Sequence, residues 1–474
     1  MAAPAQATTD ETPASKDAGG APAFDVPGLL FDNRTPFAAT QFDIVDQHDA
    51  PFHVIVGKIG YTIGPCNAEG WATLALLDPP VALNTADRHD GDDPAASVLE
   101  ESDFAPFKPR CDVIVNALAH APKKTPAKTF SVRLTVMPGA DATSKRPAII
   151  DKALAVCGPR WFVKEPPVAG LLRWPLKIAT LGLVRPDPWY LSAPQPIAHL
   201  PVRYEYAFGG ECRIDSSERA AKRVPAKERI AAQPGPGALE PYAVAHEACD
   251  TNPLGRGFAR GWFLKATKST RLPAPQISTE ARRCNARDFQ NSVDGKNPKP
   301  PAGFGVVGRA WLPRRALIGN IEDKPNWGAD DIPRLPADFD FAYWNCAPQD
   351  QQCDYLNGQE QFTLVNLCSP DSPSARPDRH GNTVLRFALP RQAMFVLAAN
   401  RATQLTVLPL SLDTVIINPE SGRVDLVWRG CLPADGNNVE SRLMHITEPE
   451  QLARLDMLVQ HQWSETPPND AEGK

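Results

Sequence analysis

The sequence lacks the residue spacings from which most metal, nucleotide and nucleophile sites are built. Its ten cysteines contain no C-x-x-C pair, and its nine histidines are scattered without ligand spacing, which excludes the common zinc motifs. The G-x-S-x-G and G-x-x-x-x-G-K-[ST] motifs are also absent, so neither a hydrolase nucleophile nor a phosphate-binding loop is indicated. We expect reduced, mostly buried cysteines, and no catalytic residue, cofactor or metal.

Excess positive charge and long apolar runs are missing as well. The 50 Lys and Arg residues against 55 Asp and Glu residues give a net charge of −5, which offers no basic field for nucleic acid or an anionic membrane. No run approaches the roughly 18 consecutive apolar residues of a membrane span. The first 24 residues contain neither the basic nor the apolar part of a secretory signal. We expect a cytoplasmic protein without nucleic-acid or membrane partners.

Proline is the residue present in excess. It accounts for 50 of the 474 residues, about twice the usual share, and each proline removes a backbone donor and interrupts helices. Such a density excludes a helical bundle, a helical solenoid and a long coiled coil. Because 42% of the residues are hydrophobic, the chain can still bury a sizeable core. Short strands joined by many loops are therefore expected.

Alternation of apolar and polar residues predicts strands in several parts of the chain. The clearest case is Phe130 to Val136, where every second residue is apolar. Segments 414–417 and 424–428 are joined by the polar sequence NPESGR, which predicts a hairpin. Further strands are predicted at 54–63, 112–119, 384–389, 394–398 and 405–408.

These patterns predict a mainly β protein with an antiparallel β-sandwich-like body, many Pro/Gly-rich loops and few short helices. Two long aperiodic stretches, 213–247 and 267–301, are predicted as loops. A start resembling a capping box at Thr447 to Glu450, followed by leucines on one face, predicts a helix near the C-terminus.

The predicted division of the chain has six parts. They are a disordered tail at 1–24, an N-terminal β domain at 25–160, a loop-rich part of the same domain at 161–345, a C-terminal β part at 346–440, a helix at 441–463 and a disordered tail at 464–474.

Three motifs could carry chemistry. Two of them lack a required feature, and the third is a spacing that is common without any catalytic role. Gly303 to Gly308 spells G-x-G-x-x-G, yet it follows a Pro-rich stretch and runs into Pro313. The strand–turn–helix context of a dinucleotide site is therefore missing, and a glycine-rich turn packed under aromatic residues is favoured. The cluster His89 to Asp93 lacks the oxygen spacing of a calcium loop. Asp338 and Asp340 could pair for glycoside hydrolysis, although this spacing is common on solvent-exposed faces.

Aromatic residues recur beside Arg, Pro and Gly. One interpretation places them in the core at sheet corners. The other makes them a binding surface, because Trp, Tyr and Arg supply most interface hot spots. The segments concerned are 204–210, 311–314, 338–344 and 428–430.

A longer series of short motifs runs in a fixed order through the chain. Its members are Asn33 to Phe37, Glu101 to Asp103, Lys108-Pro109, Asp112-Val113, Arg203 to Glu205, Ala207 to Gly210, Asn252 to Phe258, Pro301 to Gly305, Trp311, Pro313-Arg314, Leu335 to Phe339, Ala347-Pro348, Gly358, Glu360, Leu364, Leu412 to Val415, Pro419-Glu420 and Trp428-Arg429. Over about residues 29 to 432, this series resembles the adaptor, or chaperone, family of bacterial type VI secretion effectors, a family catalogued as a domain of unknown function.

The resemblance implies a non-enzymatic protein encoded beside spike, tip and effector genes. It implies that the chain binds a type VI effector protein together with a VgrG spike or PAAR tip protein, in the bacterial cytoplasm or carried on the spike. Within the family-like segments, the side chains that combine large area with polar groups are predicted to contact the partner. These residues are Arg314, Trp344, Arg429, Trp311 and Asp338.

Two other function classes stay open on the sequence. One is a hydrolase acting on glycan or peptide through Asp338, Asp340 or the His89 to Asp93 cluster. The other is a β-sandwich carbohydrate-binding module, because exposed aromatic residues also stack on sugars. Spike, tip and toxin genes nearby would favour the adaptor, whereas a sugar-utilisation cluster would favour the other two.

Overall fold

The computed structural model describes residues 28–139, 147–165, 189–231, 241–296, 300–320 and 335–465. In these residues the fold is mainly β, as predicted, with several antiparallel and mixed sheets and three α-helices. No helix in the described ranges is long and apolar enough to cross a membrane. The predicted tail at 1–24 lies outside the described residues, as does 466–474 of the second tail.

The strands are short, and most belong to antiparallel pairs. They are β1 Leu30–Asn33, β2 Ala38–Val45, β3 Pro51–Cys66, β4 Ala72–Leu76, β5 Arg88–His89, β6 Val98–Glu100, β7 Cys111–Val115, β8 Leu118–His120, β9 Thr129–Met137, β10 Ile150–Cys157, β11 Trp161–Lys164, β12 Trp189–Leu191, β13 His199–Pro201, β14 Phe208–Gly209, β15 Glu211–Asp215, β16 Ala243–Ala248, β17 Arg256–Gly257, β18 Arg271–Pro273, β19 Ile277–Thr279, β20 Gln352–Cys353, β21 Gln361–Val365, β22 Ala375–Pro377, β23 Thr383–Ala388, β24 Ala393–Asn400, β25 Leu405–Pro409, β26 Ser411–Asn418, β27 Arg423–Pro433 and β28 Asn438–Ile446. The helices are α1 Gly261–Thr267, α2 Ala286–Val293 and α3 Pro449–Glu465.

Two large sheets form the body and share one hydrophobic core. The first has the order β2-β3-β27-β26-β7-β20, with β4 beside β3, and is antiparallel except where β26 runs parallel to β7. The second is antiparallel, in the order β19-β10-β9-β21-β23-β22. Ile59 and Val415 of the first sheet and Leu134 and Phe362 of the second belong to the same buried cluster. This arrangement confirms the predicted sandwich-like body.

The two clearest local predictions are confirmed. In β9 the apolar residues from Phe130 to Val136 are buried at every second position, while the residues between them are more accessible, as expected for a strand with one buried face. The hairpin is formed by β26 and β27, in which Thr414 lies opposite Val427 and Asn418 opposite Arg423.

The predicted C-terminal helix at 441–463 is wrong at its start. Residues 441–446 belong to β28, which pairs antiparallel with β24 and parallel with β1. Within β28, Ser441 and Leu443 are buried and Arg442 is exposed, which is the alternation of a strand. The leucine spacing that predicted the helix belongs to the residues that follow this strand. Helix α3 begins at Pro449 and buries Leu452, but Leu458 is 59% exposed.

The two predicted long loops contain regular structure where they are described. Segment 213–247 holds most of the β15–β16 pair, and segment 267–301 holds β18, β19 and α2. These strands are only three to six residues long, too short to show a period. Two of them pair with distant parts of the chain: Leu272 lies opposite Phe162, and Ile277 lies opposite Val156.

One buried polar cluster joins the first large sheet to the sheet that contains β28. Gln392 Oε1 accepts hydrogen bonds from the Tyr61 hydroxyl at 2.8 Å and from the imidazole Nε2 of His445 at 2.9 Å. The edge of the His445 ring also contacts Phe37. Burial raises the pKa of Tyr61 to about 12 and lowers the pKa of His445 below its ordinary value.

The lowered pKa of His445 predicts a loss of stability in mild acid. Below a pH of about 6.5 the unfolded chain binds a proton at this histidine more readily than the folded protein does, so the unfolding free energy falls as the pH falls. We expect His445→Gln, which keeps a donor for Gln392, to lose less unfolding free energy between pH 7.5 and 5 than the wild type. Urea unfolding at both pH values measures this, and equal losses in the two proteins would contradict it.

Candidate functional site

Residues 101–108, which connect β6 to β7, bury their charged side chains and expose their phenylalanines. Glu101, Asp103 and Lys108 are buried, whereas Phe104 is 37% exposed and Phe107 is 40% exposed. This is the reverse of the usual distribution. A buried charge is tolerated only when it is paired and hydrogen-bonded, so each of the three requires a partner inside the protein. We call residues 101–108 the inverted segment.

Glu101 is paired with Arg314. The guanidinium Nη1 lies 2.7 Å from Glu101 Oε1, and Nη2 lies 3.2 Å from Oε2. Arg314 also donates to the carbonyl oxygens of Val307 and Tyr343. Burial alone would lower the pKa of Arg314, but the Glu101 carboxylate outweighs this effect and raises it. Arg314 thus joins the inverted segment to two later segments of the chain.

Asp103 is paired with Lys58 of β3. The ammonium Nζ lies 3.0 Å from Asp103 Oδ2 and 3.7 Å from a carboxylate oxygen of Glu100. The same Asp103 oxygen accepts the backbone N–H of Asn84 at 2.7 Å. Lys58 has no accessible surface, so these carboxylates supply the compensating charge that its burial requires.

Lys108 is held by groups from three different segments. Its Nζ lies 2.9 Å from Asp112 Oδ2 and 2.9 Å from the Thr414 hydroxyl. Asp112 additionally accepts the backbone N–H groups of Cys346 and Ala347. Burial alone would lower the pKa of Lys108, but Asp112 raises it well above its ordinary value, so the side chain stays charged. Burial raises the pKa of the Cys346 thiol, which stays protonated.

Arg429 of β27 fixes the backbone of the inverted segment. Its Nε donates to Asp413 Oδ2 at 2.6 Å, and its Nη1 donates to the carbonyl oxygens of Asp103 and Ala105. These two carbonyls flank Phe104, so the guanidinium holds the chain on both sides of that residue while the phenyl ring faces outward.

Each of the two exposed rings contacts a ring from another segment of the chain. Phe104 contacts Phe42 at 5.3 Å between ring centroids, and Phe107 contacts Phe341 at 6.0 Å. From Phe341 the ring contacts run through Phe339 and Tyr343 to Trp344. We define the aromatic surface by its accessible members: Phe42, Phe104, Phe107, Phe341, Tyr343, Trp344 and Tyr355.

A groove of about 280 Å³ adjoins this surface. We call it the Phe107 groove. Its apolar walls are formed by Phe107, Tyr355, Leu408 and Pro409, and its polar lining includes Lys108, Asp413 and Arg429. The Tyr355 hydroxyl donates to the carbonyl oxygen of Lys108, which keeps the ring in place as part of the wall.

Of the five residues that were predicted to contact a partner, three are buried and two are accessible. Arg314 and Arg429 are buried and engaged inside the chain. Trp311 is buried too, with its ring 5.2 Å from that of Tyr204. This geometry gives all three a structural role, and it offers no support for their side chains as exposed contact residues.

The other two predicted residues are accessible. Trp344 is half-buried and belongs to the aromatic surface, with the Arg309 guanidinium over its ring. Asp338 is exposed, and its carboxylate accepts the backbone N–H of Asn320 at 2.9 Å. Sequence reasoning missed Phe104, Phe107 and Tyr355 as surface residues. The segment ESDFAPFKP has no regular spacing of its charged and aromatic residues, so no pattern in the sequence indicated which of them are exposed.

The carboxylates considered for hydrolysis have local structural roles. Asp340 accepts the backbone N–H of Ala342 at the start of a short 3-10 helix, and Asp90 is paired with Arg203. In the described part of the chain no group of three or more His, Cys, Asp or Glu side chains could hold a metal ion. Eight of the ten cysteines are buried, so the prediction that most of them are buried is confirmed.

The G-x-G-x-x-G sequence is a turn packed under aromatic rings, as favoured above. A Cβ at Gly303 would lie 2.7 Å from the Tyr204 ring, and one at Gly308 would lie 2.7 Å from the Trp311 indole. No strand precedes the sequence and no α-helix follows it within the described residues 300–320. Glycine is needed at both positions because a larger side chain would collide with these rings.

Comparison with known families decides the assignment. A family model described as "Uncharacterized protein conserved in bacteria (DUF2169)" matches residues 48–429. The chain belongs to this family. No curated protein and no solved structure matched the chain. The DUF2169 match contains the inverted segment and all of the ionic partners described above, whereas β1, β28 and α3 lie outside it.

The Glu101–Arg314 pair of this DUF2169 protein is expected to be a major determinant of stability. Arg314→Met leaves the buried Glu101 carboxylate with Arg309 Nε, at 3.3 Å, as its remaining cation, and it leaves two carbonyls without their donor. Removing one partner of a buried pair costs about 3–5 kcal/mol, and the Arg309 contact places the expected loss at the lower end of that range. We expect that loss in urea unfolding, and we expect the double variant Glu101→Leu/Arg314→Met to recover part of it. An Arg314→Met protein as stable as the wild type would contradict this assignment.

Proposed function

We propose that this protein is a non-enzymatic adaptor that binds a type VI secretion effector and helps to load it on a VgrG spike or a PAAR tip protein. The observation that carries the proposal is the aromatic surface. It presents accessible rings from several segments of the chain on a rigid, internally paired support.

The energetics of the inverted segment support a docking role. Burying charged pairs rarely stabilises a protein more than packed apolar residues of the same volume would. Leaving phenylalanine partly exposed forfeits part of the roughly 1.5–3 kcal/mol that complete burial of such a side chain supplies. The chain does both within residues 101–108. A partner that covers Phe104 and Phe107 would regain the apolar burial, which is the physical basis of an interface hot spot.

The residues that carry the family resemblance are the ones that support this surface. Glu101, Asp103, Lys108, Arg314 and Arg429 all belong to the quoted motifs, and all of them take part in the buried ion pairs. The motifs therefore define the support of the aromatic surface. Partner identity would then depend on the accessible side chains.

The proposed partners are an effector protein and the spike or tip protein that carries it, assembled in the bacterial cytoplasm. The hydrolase alternative gains nothing from the structure, because Asp338 and Asp340 are engaged with nearby backbone N–H groups. A carbohydrate-binding module stays as the second candidate, because accessible rings such as Tyr355 also suit sugar stacking. The experiment below separates it from the adaptor.

We expect co-purification of this chain with a protein encoded beside it. Phe104→Ser/Phe107→Ser should weaken that complex by about 2 kcal/mol or more, close to thirtyfold. The binding measurement is made well below the thermal midpoint of the variant, because the loss of the ring contacts to Phe42 and Phe341 is expected to lower that midpoint. Calorimetry with the purified partner measures the loss. The matched control is Tyr190→Ser, an aromatic residue that is 44% exposed on β12 and is expected to leave binding unchanged.

Three results would count against the adaptor. The first is that no neighbouring gene product is retained. The second is that the double variant and the control weaken the complex equally. The third is glycan-array binding that depends on Phe104 and Phe107, which would favour the carbohydrate-binding module.

A further inference from the structure

Arg429 is nearly completely buried and yet keeps one nitrogen unengaged. It is 4% exposed. Its Nε is bonded to Asp413, and its Nη1 is bonded to the carbonyl oxygens of Asp103 and Ala105. Among the described residues its Nη2 has no hydrogen-bond partner, although Arg429 lines the Phe107 groove. A guanidinium fixed on two sides and open on the third is a preorganised site for a carboxylate oxygen.

The charges that line the groove favour the same ligand. Two cations, Lys108 and Arg429, and one anion, Asp413, face it. Lys108 Nζ is already held by Asp112 and Thr414, so its charge is compensated and it offers no free donor. Asp413 is occupied by Arg429 and by the Thr414 hydroxyl. Asp112 compensates the charge of Lys108, and Asp413 compensates that of Arg429. The preference for an anion therefore comes from the one unengaged charged donor, Arg429 Nη2.

The walls of the groove supply an apolar subsite next to that donor. Phe107 and Tyr355 form one wall, and Leu408 and Pro409 form the other. Burial raises the pKa of Tyr355 to about 12, so its hydroxyl is neutral and adds no negative charge. At about 280 Å³ the groove is smaller than most sites for drug-sized ligands. It matches one or two side chains of a peptide.

We propose that the Phe107 groove binds a peptide segment of the partner that presents a carboxylate next to an apolar or aromatic side chain. Arg429 Nη2 takes the carboxylate, and Phe107, Tyr355 and Leu408 enclose the apolar group. The carboxylate belongs to an Asp, a Glu or a chain terminus. The inference rests on the proposed function only in assigning this peptide to the adaptor's partner.

Two small probes of the same shape test the charge requirement without the partner. Fluorine NMR would compare para-fluorophenylacetate with para-fluorophenylacetamide, each titrated into the full-length protein. We expect the acid to bind with a Kd on the order of 1 mM, equivalent to about −4 kcal/mol, and the amide to bind at least fivefold more weakly. Phe107→Ser should abolish the difference. Phe104→Ser is the matched control, because Phe104 lies on the same segment but does not line the groove, and it should preserve binding.

Two groove variants test the role of the guanidinium. Arg429→Lys keeps the positive charge but loses the third donor direction, and we expect it to bind the acid and the amide equally. Because this variant also loses contacts to the inverted segment, Leu408→Asp provides a second test. It places a carboxylate on the accessible wall of the groove, and we expect it to weaken the acid more than tenfold while changing the amide less than twofold.

The outcomes separate this inference from the adaptor function. Equal binding of acid and amide by the wild type, or equal losses of both probes in Leu408→Asp, would overturn the carboxylate site. If the neighbouring gene product is retained but the acid does not bind, the groove inference is wrong and the adaptor stands. If the acid binds as expected but no partner is retained, the carboxylate site stands and the adaptor function is wrong.

Discussion

The guanidinium of Arg429 fixes the backbone on which the outward-facing phenylalanines depend. It binds the carbonyl oxygens of Asp103 and Ala105 and is itself paired with Asp413. Without it, the two carbonyls would be buried without a donor, a loss of about 1–3 kcal/mol for each group. The outward position of Phe104 is thus set by hydrogen bonds beneath it rather than by ring packing alone. Its exposure is a consequence of the buried polar structure.

The same principle extends along the whole inverted segment. Glu101 and Lys108 are tied to residues that lie far away in the chain, Arg314 and Thr414. Each of these hydrogen bonds requires a defined geometry and a partner of the right charge. The segment can therefore compensate all of its buried charges in only one position relative to the rest of the chain. Apolar packing in the same place would tolerate several arrangements. Buried ion pairs add specificity of arrangement more than stability, and a docking surface made of accessible rings needs such specificity.

The sequence predicts the β architecture well and the site poorly, for identifiable reasons. Strand β9 and the β26–β27 hairpin follow from alternation and turn chemistry within one short window. The inverted segment does not, because its burial has no period and its charged residues are held by partners from distant parts of the chain. Glu101, for example, is buried where it meets Arg309 and Arg314, and 213 residues separate it from Arg314. Strand β18 was missed for a related reason, since its partner β11 is distant in sequence.

The ribosome synthesises the inverted segment well before some of the residues that hold it in place. Phe104 and Phe107 leave the ribosome long before Thr414 and Arg429. At roughly 5–20 residues per second the interval is tens of seconds. Throughout that time Lys108 lacks its Thr414 contact, and the carbonyl oxygens of Asp103 and Ala105 lack their donor. Under the proposed function, a partner that binds the finished surface would therefore select molecules in which β26 and β27 have already docked over truncated ones.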